Sequence, residues 1–117
     1  MSMKRHTLRF RAVDRATFDD IRDGRKRVET RAATVKYRGI DPGDTVVFVC
    51  KKDRFERVVA SVEHFASVDD MLKKYSVDDI NARAVDRNGL IRMYHGFPGY
   101  EEKMREHGII ALTLVPA

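Results

Sequence analysis

The densest chemistry in the chain follows Gly24, where Arg25, Lys26, Glu29 and Arg31 alternate with Arg27, Val28 and Thr30. Arg31 carries a planar fork suited to a phosphate or carboxylate, and Lys26 a compact charge. Together they can hold an anion while Glu29 accepts from the amine of a base. The same residues allow a second chemistry, in which Glu29 acts as general base on water and Lys26 stabilises a developing oxyanion, the minimum for amide cleavage. A plain Glu29–Arg31 or Glu29–Lys26 salt bridge is the third reading. Tyr100, with Tyr94 and Phe97 around Gly96 and Gly99, adds rings on which a base can stack or which can pack beneath a loop.

These side chains need a frame. Residues 25–31 read as a strand, because Val28 and Thr30 suit a pleat. Regular alternation puts Arg27, Glu29 and Arg31 on one face and Lys26, Val28 and Thr30 on the other. Lys26 and Glu29 therefore converge only if Lys26 still belongs to the turn after Gly24, which is the geometry we expect. A charged strand among apolar ones is costly to bury unless it is paired or partly solvated, so it should form the wall of a cleft.

Around it, Thr7 to Arg11 alternates as a first strand with Leu8 and Phe10 inward, and residues 15–23 form a helix stopped by Gly24. Asp41-Pro42-Gly43-Asp44 predicts a type II turn that launches an apolar strand over 45–50. Lys51 to Arg54 is a basic hairpin tip, and 55–65 the return strand. Ser67 and Ser76 cap helical segments beginning at Asp69 and Val77. Another segment spans 90–94, the loop 95–99 is irregular, a helix covers 100–106, and 109–115 closes the chain as a strand.

The 117 residues fit one domain, and 43% hydrophobic residues suffice for one core. No apolar run approaches a membrane span and the start lacks a signal-like segment, which predicts a cytoplasmic protein. Cys50 stands alone, and His6, His64, His95 and His107 lack metal-ligand spacing, so neither a disulfide, a metal nor another cofactor is expected. The glycines do not follow a strand and open a helix as a dinucleotide site requires. Charge is uneven: residues 1–57 hold 16 Lys and Arg against 9 Asp and Glu, residues 58–117 hold 7 against 9. That asymmetry favours a phosphate-bearing partner, RNA or a nucleotide, and the partners expected are RNA or a nucleoside or nucleotide.

Phe18-x-x-Ile21-x-x-Gly24-x-Lys26-x-x-Glu29-x-Arg31, the Pro42-Gly43-Asp44 turn, the Pro98-Gly99-Tyr100-Glu101 loop and the terminal strand after Gly108 resemble the ASCH domain, over essentially the whole chain. The resemblance implies an α+β fold, a PUA-like partly open β-barrel with short flanking helices, in a superfamily associated with RNA and modified bases. It places a ligand cleft beside residues 24–31, with Arg25, Lys26, Glu29, Arg31 and Tyr100 as binding residues. Some ASCH proteins are amidohydrolases that deacylate N4-acetylcytidine with a Lys, a Thr three residues later and a distant Glu. Lys26 matches the Lys, Glu29 stands where the Thr would be, and only Asp78 or Asp79 lies near the region of the distant acid. That alternative makes Lys26 and Glu29 the catalytic pair.

Overall fold

The structure, a computed structural model, describes residues 4–81 and 83–116. Its frame is a mixed α+β fold built on five strands: β1 (Arg5–Phe10), β2 (Val28–Ala32), β3 (Thr45–Cys50), β4 (Asp53–Phe65) and β5 (Ile109–Pro116). They pair in the order β1-β3-β4-β5-β2, with β1 parallel to β3 and every other pair antiparallel. The sheet curls into a half-barrel. Its two end strands approach one another, so that the Arg31 guanidinium of β2 lies 4.9 Å from the Phe10 ring centre of β1.

Local sequence explains most of the elements. On β1, Leu8 is buried and Phe10 half-buried while Thr7 and Arg9 face out, the expected alternation. At the turn before β3, Asp44 N–H donates to Asp41 O across 3.1 Å and Gly43 takes φ 92°, as a type II turn demands. β3 and β4 form the expected hairpin, tightened so that β4 begins at Asp53, and a register shift between Val59 and Ser61 bends β4. The strand after Gly24 begins only at Val28. Residues 25–27 remain in the turn because Lys26 N–H donates to Asp20 O, across 3.0 Å, at the end of α1 (Arg15–Arg22).

The short α2 (Val35–Arg38) was not legible in the sequence. Ser67 Oγ caps α3 (Val68–Leu72), and Ser76 with Asp79 forms a reciprocal capping box on α4 (Val77–Ile80). Asp86 caps α5 (Arg87–His95), which starts earlier than the 90–94 segment suggested, and α6 (Tyr100–His107) ends at Gly108.

Two apolar clusters result. One fills the half-barrel, where Leu8, Phe18, Phe48 and Ile110 meet and Phe48 stacks on Phe55 at 5.0 Å. The other lies between the helices and β5, around Met71, Ile80, Leu90, Tyr94 and Ile109. Residues 26–32 run along the junction of the two. No helix is long and apolar enough to cross a membrane among the described residues.

Candidate functional site

At that junction the curled sheet stays open, and a cleft of about 220 Å³ occupies the opening. Phe10 of β1, Glu29 to Arg31 of β2, Tyr94 of α5 and Tyr100 of α6 contribute to its walls.

Lys26 and Glu29 do converge, because Lys26 sits in the turn and is not bound by the pleat. Lys26 Nζ lies 3.5 Å from Glu29 Oε1, and both side chains are about 95% buried or more. Nζ also donates to Val28 O at 2.7 Å and to Ile80 O at the end of α4. Burial lowers the Lys26 pKa, partly offset by Glu29. Glu29 Oε1 accepts Thr30 N–H at 3.0 Å, while Oε2 accepts Nε and Nη2 of Arg31 at 3.3 and 3.2 Å. Burial works against the Arg31 charge, yet Glu29 keeps its pKa above the ordinary value.

The backbone of β2 explains why these partners are there. Leu114 N–H donates to Arg27 O and Ala33 N–H to Gly108 O, so odd-numbered residues point their polar groups at β5. The even-numbered ones point at the open edge, and such an edge needs covering. Lys26 covers Val28 O, Glu29 covers Thr30 N–H, and the Tyr100 hydroxyl accepts Ala32 N–H at 3.1 Å. Thr34 N–H takes Ala32 O. The Thr30 carbonyl is left as an acceptor without a partner among the described residues.

Thr30 is the main departure from regular alternation. It was expected opposite Glu29, yet it lines the same cleft, because the cleft runs along the strand edge and Glu29 folds back over it. Thr30 Oγ1 and Tyr94 Oη are 2.5 Å apart, so one hydroxyl donates to the other and one hydrogen of the pair remains to donate elsewhere. Burial pushes the Tyr94 pKa well above the ordinary phenol value, with Thr30 opposing, and pushes Tyr100 up to about 12 against the pull of Arg31. Both stay protonated at neutral pH. The Tyr94 and Tyr100 rings are nearly parallel at 14°, and Phe97 leans on Tyr100 at 5.2 Å.

Toward solvent the cleft is bordered by Arg9, Arg11 and Lys103. Arg11 pairs with Asp14 at 2.8 Å and covers the Phe97 ring at 5.1 Å, whereas no ion pair holds Arg9 or Lys103 among the described residues. Counting all lining residues, five cationic side chains face two carboxylates. A ligand carrying negative charge fits this excess.

Two expectations need correction. Arg25 is not in the cleft: it is exposed and turned back onto Asp20 at 2.9 Å and Asp23 at 3.0 Å, because the turn sends Lys26 inward and its neighbour outward. Neither Asp78 nor Asp79 supplies the distant acid. Both are exposed in the first turn of α4, and Asp79 is engaged as a cap. The residue that reaches the cleft from this region is Asn81, buried and adjacent to Met93. Nothing in the sequence singled out Asn81, Arg9 or Lys103, since their role depends on how the open seam faces the helices. Among the described residues no group of three or more His, Cys, Asp or Glu is placed to hold a metal.

No protein-family model matches the chain, and no curated protein matches it either. Solved structures share the fold. The crystal structure of hypothetical protein PH0355 superposes with a TM-score of 0.82 at 23% identity, covering 98% of this chain and 100% of that one. The solution structure of protein PF0455 from Pyrococcus furiosus gives 0.74 at 23% identity, covering 96% of each. At this identity the likeness establishes that the chain has the same α+β half-barrel fold as these two proteins.

Proposed function

We propose that the chain is an ASCH-type, PUA-like cytoplasmic domain whose cleft binds a nucleotide, either free or as an exposed residue of single-stranded RNA. The observation that carries this reading is the composition of the cleft: Arg9 and Lys103 at the rim and a Thr30 carbonyl beside a hydroxyl pair, all three without a partner among the described residues, with aromatic rings within. A cation rim meets a phosphate, rings meet a base, and an acceptor next to a donor meets the amide or amidine edge of a heterocycle. At about 220 Å³ the cleft is smaller than the roughly 300–1,000 Å³ of drug-sized sites, which suits one base and excludes a duplex. Titration calorimetry with ribonucleotides and short RNA tests the reading. Binding should weaken with salt, by a logarithmic slope of about 0.7 for each phosphate contact. Absence of binding at low salt sinks it.

A second reading, amide hydrolysis, draws on the Thr30 hydroxyl and the Lys26–Glu29 pair sharing the cleft. The hydrogen bonds place it second. A carboxylate has about four acceptor sites, and those of Glu29 are directed at Thr30 N–H, Lys26 and two nitrogens of Arg31, which leaves none to activate water. Incubation with N4-acetylcytidine separates the two. A binding domain leaves it intact over hours, whereas release of cytidine, lost in Thr30→Val or Glu29→Gln, establishes the enzyme.

A further inference from the structure

The cleft does not end at Asn81 and Met93. These two residues, with Asp14 and Thr17, also form a wall of a second recess of about 250 Å³ that opens beside the first. The far side of that recess has two properties of a base-binding surface. Its apolar part is offered to solvent: Val13 is 80% exposed, Ala16 is exposed, and Ala84 lies beneath. Its polar part is a guanidinium that is already fixed. Arg83 Nε and Nη2 both bond the buried Asp20, at 2.8 and 3.2 Å, so that the plane is held although the side chain is half exposed. A planar cation held in place stacks on a base without losing much rotamer freedom at binding.

Charge at the recess points the same way. Arg92 lies along the Gly89 wall, with Nη2 3.7 Å from where a Cβ on Gly89 would stand, and no ion pair holds it among the described residues. The neighbouring carboxylates are both occupied: Asp86 caps Gly89 N–H, and Asp14 pairs with Arg11.

We propose that the second recess holds the adjoining nucleotide of a single strand whose first base occupies the cleft, its base lying on the Arg83 plane and against Val13 and Ala16. The inference rests on the nucleotide-binding reading and sharpens it: the preferred ligand is an oligonucleotide of two or more residues rather than a free nucleotide. Two recesses of similar size sharing one wall match two splayed bases better than one larger ring system.

Calorimetry at fixed salt tests this with the four ribonucleoside 5′-monophosphates and dinucleotides built from the tightest of them. One added base–side-chain stack is expected to give the dinucleotide about tenfold tighter binding than the mononucleotide. Ala16→Trp, at an exposed helix position that lines only the second recess, should remove that gain and leave mononucleotide affinity unchanged. Arg83→Lys, which keeps the charge facing Asp20 but loses the plane, should do the same. Retained mononucleotide binding shows that each variant is folded. Equal affinity for mono- and dinucleotide, or a gain that survives both substitutions, overturns the inference while the nucleotide reading stands. If no nucleotide binds the wild type, both fall.

Discussion

Lys26 is where a structural and a chemical role compete most directly, and Lys26→Met separates them. Methionine matches the length and fills the same space, so the substitution removes charge and donors with little cavity. Two buried carbonyls, Val28 O and Ile80 O, lose their donor. Each stranded acceptor costs about 1–3 kcal/mol, and relief from burying an ammonium returns part of that sum. Glu29 keeps Thr30 N–H and Arg31. The net loss should be about 2–4 kcal/mol, or roughly 8–16 °C in Tm for a domain of this size. A marginal fold of about 5–15 kcal/mol survives it. Urea unfolding followed by circular dichroism reads the loss at neutral pH. The pH dependence adds a second arm. Because burial lowers the Lys26 pKa, the unfolded chain binds more protons below the ordinary value of 10.5, and wild-type stability should rise toward that value relative to Lys26→Met. A loss under about 1 kcal/mol, below the cost of even one stranded carbonyl, would refute the clip between β2 and α4.

Other perturbations follow from single contacts. Gly108→Ala places a Cβ 2.6 Å from the Phe65 carbonyl oxygen at φ 78°, so thermal melts should show a loss of at least about 3 kcal/mol; a mild effect would mean that β5 does not leave α6 in this way. Burial works to raise the Asp20 carboxyl, but Arg83 and Arg25 outweigh it and hold it below the ordinary 3.8. Its stabilisation is therefore complete above that value and fades as pH falls through the lower folded one, and urea midpoints against pH should lose this acid-side fall in Asp20→Asn. Arg9→Ala with Lys103→Ala should leave melting unchanged and reduce the salt slope of RNA binding by about 1.4, which binding isotherms at several salt concentrations measure.

Much of this was legible in the sequence because it depends on short-range rules. The Pro42-Gly43 turn, the Ser67 and Ser76 caps and the β3–β4 hairpin are set within a few residues, and all are present. The meeting of Lys26 with Glu29 was also accessible, since a residue still in a turn escapes strand alternation. What failed depended on side-chain direction and strand order, which turn and cap rules do not set. Arg25 turns away because Asp20 and Asp23 are within reach, and α2 exists only where the chain leaves β2. Thr30 enters the cleft because β2 is an end strand, a fact fixed by the pairing order and by no local pattern.

A nucleotide seated on the open edge of β2 should perturb the backbone amides around it, which amide chemical-shift mapping with a short single-stranded RNA reads out. Shifts should concentrate at residues 9–11, 29–32 and 94–103, with the Thr30 and Arg31 amides among the largest. Shifts confined to the exposed basic hairpin tip at Lys51, Lys52 and Arg54, or none at a low-salt excess of RNA, would contradict it.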